Sequence, residues 1–407
     1  IPRATKFPLP EPRTMSAAAV TRRVQRLLFV ALGFLLAWQV AALVGTSRHL
    51  QVVLGLYGFV FHVVFAKAYS LVPSYFAREL AVPRAPAVQL PLSGLGVVGL
   101  AAAGLGAPAL VGTAGAALWF AGVLVFVGTL AWTVRDNLTG AETGTGEAKA
   151  DRRPVDRYAN AFVPLVLAYL LAGAYDLLAV RIGLPTVAAS GGPPATHLLA
   201  AGAATLLVLA VGFRLLPRLL VATPPRALVA VALPAGAIGP ILLATAFYGG
   251  LRFQAGAALE AIAVVGFATA VAWMVAASDR RRVGVYAVLA GAAAGVLGVL
   301  LGLDFAFRGI TVALADAHAR LNLLGFLGFT VVGVTYHFYP PGAGRFAGAG
   351  DRTAMVTVAL LAGGLLVEVV GLVAGVEAVV LLGRFAALVG AVGYAYLIGG
   401  LLRQNRT

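Results

Sequence analysis

VGVYAVLAGAAAGVLGVLLGL, residues 283–303, runs for 21 residues without a charged side chain. As a helix rising about 1.5 Å per residue it would be roughly 30 Å long, the thickness of the hydrocarbon core of a bilayer. Its richness in Ala, Gly, Leu and Val matches a lipid-crossing helix and not the ten-residue apolar/polar alternation of a transmembrane barrel. Eleven further apolar runs of similar length lie near 25–46, 50–73, 88–105, 112–134, 158–181, 197–217, 226–248, 255–277, 316–340, 353–375 and 379–401. The 407-residue chain is 61% hydrophobic and 11% charged, with a mean hydropathy of +0.95. No water-soluble core hides that much apolar surface. The expected fold is an all-α polytopic membrane protein of about twelve transmembrane helices.

The basic residues test this map, because short cytoplasmic loops collect Lys and Arg. They concentrate in the N-terminal segment and in every second loop, among them Arg22, Arg84, Arg153, Arg218, Arg281 and Arg352, so that one side holds 23 of the 30. The expected protein therefore sits in a cell membrane with both termini cytoplasmic. Its expected parts are a tail over 1–24, a twelve-helix domain over 25–402 and a short tail over 403–407. The polar loop 135–157 reads as a freely moving connector. A net charge of +15 is explained by this bias and by anionic lipid headgroups, so no nucleic-acid partner is expected. The absence of cysteine excludes disulfides, thiolate metal sites, iron–sulfur clusters and covalent c-type haem.

One pattern recurs three times: a His at the outer end of a span, a Gly-containing apolar helix, then an aromatic and a Pro at the cytoplasmic end. The copies are His49 to Tyr69 and Pro73, His197 to Phe213 and Pro217, and His318 to Tyr336 and Pro340. They fall on the second, sixth and tenth spans, which predicts three pseudo-repeated four-helix units. Three of the five histidines thus head corresponding helices and are the candidate metal ligands. His62 lies within the second span, where an imidazole needs a hydrogen-bonding partner or stays neutral.

The tenth span is the most specific: HARLNLLGFLGFTVVGVTYHFYP, residues 318–340. It resembles the tenth helix of subunit I of the haem–copper oxidase superfamily, which includes the nitric oxide reductases and relatives that open His-Ala-His-Leu-Asn-Leu-Leu-Gly. The NnrS-like membrane haem proteins linked to nitric oxide share this general plan. The resemblance implies twelve spans in three arcs and haem irons in the outer half of the membrane. It makes His318 the ligand of one haem b and puts Arg320 where the ligand of a second haem would stand. A guanidinium has no lone pair to give to iron. His49 corresponds to the opposing ligand on the second span and His197 to a copper ligand on the sixth. The seventh span holds no His, so copper and proton-pumping dioxygen reduction are not expected. Arg384, with Arg320, stands where the family clamps haem propionates.

The resulting expectation is a divergent relative that binds b-type haem and acts in electron transfer or in handling O2 or NO, as a catalytic or accessory member of a membrane redox complex. A cofactor-free twelve-helix transporter or channel, or a structural membrane subunit, is the alternative. Lys67, Glu260 and Glu368 support the transporter, since a charge within hydrocarbon is costly enough to suggest a role. Asn322, one turn after His318, is a candidate to bond a neighbouring helix or a ligand. Asp316 and Arg320, four residues apart, are spaced for a local ion pair.

Overall fold

The computed structural model describes residues 15–404, with side chains from Arg22 onward. The helices are α1 (Met15–Leu43), α2 (Arg48–Tyr75), α3 (Ala85–Gly104), α4 (Ala109–Val134), α5 (Glu147–Ile182) and α6 (Gly192–Leu220). They continue with α7 (Arg226–Thr245), α8 (Leu251–Ala276), α9 (Val283–Arg308), α10 (Val312–Ala343), α11 (Asp351–Ala374) and α12 (Glu377–Gln404). Each is long and apolar enough to cross a membrane, and no strand occurs among the described residues. The chain is a multi-pass, all-helical membrane protein. Odd-numbered helices run from the face that carries most basic residues, the basic face, to the opposite face. His49, His197 and His318 stand near that second face, the histidine face.

The twelve helices repeat as three units of four. In each unit the third and fourth helices form a tightly packed antiparallel hairpin: α3 with α4, α7 with α8, α11 with α12. The units join where α4 meets α5, α8 meets α9 and α12 meets α1, closing a ring. Inside it stand α2, α6 and α10. In their most apolar stretches 83, 67 and 78% of residues are buried, against 28–56% for the other nine. These are the three His-headed helices of the sequence repeat.

The inner helices share a feature that the sequence does not announce. Each changes from α to the wider π geometry for eight residues: Val53–Val60, Leu198–Thr205 and Leu321–Gly328. Such turns are rare and are concentrated at functional sites. Each also carries a glycine that lets it press on the first helix of its own unit. A Cβ would fall 2.7 Å from the Trp38 ring at Gly55, 2.6 Å from the Tyr169 ring at Gly202 and 2.5 Å from Ala294 Cβ at Gly325. Close approach through small residues is how helices associate where no hydrophobic force acts between them.

Two expected boundaries change. Helix α1 already runs from Met15, so residues 15–24 of the expected tail are helical, as a stretch containing three consecutive Ala favours. The rest of that tail and residues 405–407 lie outside the described residues. The loop 135–157 is not a free connector. Asn137 Nδ2 donates to Phe76 O at 3.0 Å, Asn160 Nδ2 to Tyr75 O at 3.0 Å and Arg214 Nη2 to Thr143 Oγ1 at 3.1 Å. Arg218 pairs with Asp156 at 2.6 Å, and Arg214, 3% exposed, bonds Asn160 Oδ1 and stacks 4.0 Å over the Tyr75 ring. Polar composition suggested mobility; long-range bonds from α6 remove it.

Candidate functional site

Two of the three repeat histidines meet. His197 and His318 come from the histidine-face ends of α6 and α10, and their rings lie 6.3 Å apart, centre to centre, with planes only 17° from parallel. Both are half-buried. His318 Nδ1 donates to Gly298 O at 2.8 Å and His197 Nδ1 to Pro193 O at 2.8 Å. A carbonyl only accepts, so each imidazole is held as the Nδ1–H tautomer with the Nε2 lone pair free. Neither Nε2 bonds a described residue. A backbone carbonyl on the far nitrogen is the support that metal-ligating histidines use to fix ring orientation.

The surroundings hold these rings in place. Phe247 packs against His197 at 4.8 Å and Phe305 against His318 at 5.6 Å. On α9, Gly298 and Gly302 leave room for the α10 side chains. A Cβ at Gly302 would sit 3.0 Å from His318 Cε1, and one at Gly298 only 2.6 Å from Asn322 Nδ2. Asn322 turns back to its own helix, donating to His318 O at 2.8 Å. It supports the backbone that carries the histidine.

The remaining histidines stand apart from the pair. His49 is exposed and makes no ring contact or hydrogen bond with the pair among the described residues, so the three repeat histidines do not form one cluster. His62 is fully buried with both nitrogens engaged: Nδ1 donates to Tyr57 O at 3.0 Å, and Nε2 meets Ser93 Oγ of α3 at 3.1 Å. Phe34, Phe65 and Trp119 surround it within 5.3–6.2 Å. It is a helix–helix hydrogen bond inside an aromatic core.

On the opposite side of α10, Arg320 enters a buried ion cluster. Its Nε donates to Glu368 Oε2 of α11 at 2.8 Å, and Arg384 Nε of α12 donates to Oε1 of the same carboxylate at 2.8 Å. Arg320 Nη2 donates to Gln39 Oε1 of α1 at 3.1 Å, and the guanidinium lies 5.1 Å from the Trp38 ring. Glu368 is 0% exposed and Arg320 4%. The expected local pair between Asp316 and Arg320 does not form, because Asp316 reaches across to Arg48 of α2 at 2.5 Å. The position that corresponds to a second haem ligand is thus filled by ion pairs joining four helices. Arg384 and Arg320, expected as propionate partners, are both committed to Glu368.

The other intramembrane charges behave differently from one another. Lys67 pairs with no acid among the described residues; its ammonium lies 4.3 Å from the centres of both the Phe338 and Tyr339 rings, an aromatic seat for the charge. Glu260 is 7% exposed and its Oε1 has no partner among the described residues. At the basic end of α10 a cavity of about 360 Å3 is lined by His337, Tyr336, Arg282, Asp351 and aliphatic side chains of α6, α8 and α9. It lies at the other end of α10 from the histidine pair and is separate from it.

No family model and no curated protein matches the chain.

Proposed function

We propose that this protein is a membrane electron-transfer protein that binds one b-type haem between His318 and His197, on a scaffold of the haem–copper oxidase type. The observation that carries the reading is the separation of the two imidazoles. Ring centres 6.3 Å apart, with metal–imidazole bonds of about 2.0–2.1 Å, would let both Nε2 lone pairs serve one metal centre. The two free Nε2 lone pairs, on rings anchored through Nδ1–H, are a donor set suited to iron.

Haem supplies a one-electron couple when bound, and its potential is set by axial ligands, hydrogen bonding and burial. The chain contributes the rest. The carbonyls of Gly298 and Pro193 hold the rings and raise their basicity, while Phe247 and Phe305 pack against them. With both histidines as its ligands the haem would serve electron transfer rather than O2 or NO chemistry. The preponderance of basic residues on one face supports a cell-membrane orientation with that face cytoplasmic. The test is haem content: protein purified from a haem-replete host should give one haem b per chain in the pyridine haemochrome assay, and His318→Ala or His197→Ala should lose it. Protein without haem overturns the reading in favour of a cofactor-free transporter, channel or structural subunit.

A further inference from the structure

A second site lies on the face of α10 away from the histidine pair, where Arg48, Arg320 and Arg384 line a cavity of about 20 Å3 together with Trp38, Gln51 and Asp316. A void of ~10–15 Å3 is the least that holds one water-sized occupant, so this one has room for a single atom-sized species and none for sulfate or phosphate. Its wall is short of acceptors. Arg320 is 4% exposed, and its Nη1 has no partner among the described residues; neither has Trp38 Nε1, on a side chain buried completely. Nearby Gln39 Nε2 is a third buried N–H donor without an acceptor.

The charge balance has the same sign. Three guanidiniums stand against two carboxylates, Asp316 and Glu368, so the group carries one surplus positive charge. A buried donor without an acceptor costs about 1–3 kcal/mol. An occupant that accepts from several donors and brings a negative charge relieves both deficits. Water relieves only the first.

From these residues we infer that the cavity is a binding site for one monoatomic anion, chloride under ordinary salt conditions. The site lies behind the Arg48–Asp316 pair, whose side chains are 41 and 32% exposed, so that pair forms the entrance from the histidine face. The inference is independent of haem.

The test uses the purified full-length protein in detergent with sodium gluconate as the only salt. Chloride or bromide is titrated in at constant ionic strength while thermal unfolding is followed by tryptophan fluorescence. The melting temperature should rise saturably with either halide and not with sulfate. Arg48→Gln removes a positive charge from the entrance and should raise the half-saturating chloride concentration about tenfold, whereas Asp316→Asn should lower it by a similar factor. A merely structural role for the Arg48–Asp316 pair would not give shifts of opposite sign. Crystals grown with bromide should show one anomalous peak at the Arg320 guanidinium. An unchanged melting temperature with all salts, or bromide-grown crystals with only water in the cavity, overturns the inference.

Discussion

Glu368 is a fully buried carboxylate bonded to two arginines, Arg320 and Arg384, and Glu368→Gln tests how much the fold depends on it. Both contacts are 2.8 Å, and the carboxylate is 0% exposed. Removing one partner from a buried ion pair costs about 3–5 kcal/mol, because the remaining charge stays out of water. Glutamine keeps one acceptor oxygen, so the lower end, about 3 kcal/mol, applies. With an unfolding entropy of about 2 cal/mol/K per residue, a chain of 407 residues should melt roughly 3–4 °C lower. The chain has no cysteine, so thiol-reactive dyes are useless and intrinsic tryptophan fluorescence is the assay. Glu142→Gln, at a pair whose carboxylate is 65% exposed, should cost at most about 1 kcal/mol. The triple change Arg320→Met, Glu368→Leu, Arg384→Met should recover most of the loss, since apolar groups need no counter-charge. If Glu368→Gln melts together with wild type, the triad is not a buried ion cluster and the reasoning fails.

Arg214→Gln should cost about 3 kcal/mol and expose Lys149, Arg152 and Arg153 to trypsin; resistance equal to wild type would show that Arg214 does not hold the loop. Glu260→Leu removes a buried oxygen without a partner and should stabilise the protein by about 1–2 kcal/mol, so a lower melting temperature refutes the reading that Glu260 is unpaired. Ser93→Ala leaves His62 Nε2 buried without its partner and should destabilise by about 1–3 kcal/mol with no change in haem content. Outside the membrane, hydrogen bonds from Arg78 hold the Asp136 carboxyl below its ordinary 3.8. That contribution is complete above 3.8 and disappears as pH falls through the depressed value. The stability difference between wild type and Asp136→Asn should therefore vanish in strong acid; a difference that persists there contradicts the pairing.

The spans were readable in the sequence because a membrane helix is specified by length and apolarity alone; the expected 283–303 lies inside α9, Val283–Arg308. The threefold repeat was readable through His49, His197 and His318, since these open the three most buried helices. What composition could not supply was pairing at a distance. Arg320 has Asp316 one turn away, yet bonds Glu368, 48 residues on, because the side chain turns inward to α11 while Asp316 turns to α2. The same limit hid Arg214 and Asp156, and so made an ordered loop look mobile. The π segments have no composition of their own: LGLY, AAGA and LLGF are as suited to an α-helix, and the wider turn comes from tertiary packing. Helix ends alone did not reveal that only two of the three repeat histidines converge.

Low-temperature electron paramagnetic resonance of the oxidised, purified protein tests the central claim most directly. The account predicts a low-spin ferric signal of bis-imidazole type that disappears in both His318→Ala and His197→Ala and persists in His49→Ala. A high-spin signal, a low-spin signal that survives loss of His197, or no iron signal at all would contradict a haem held between α6 and α10.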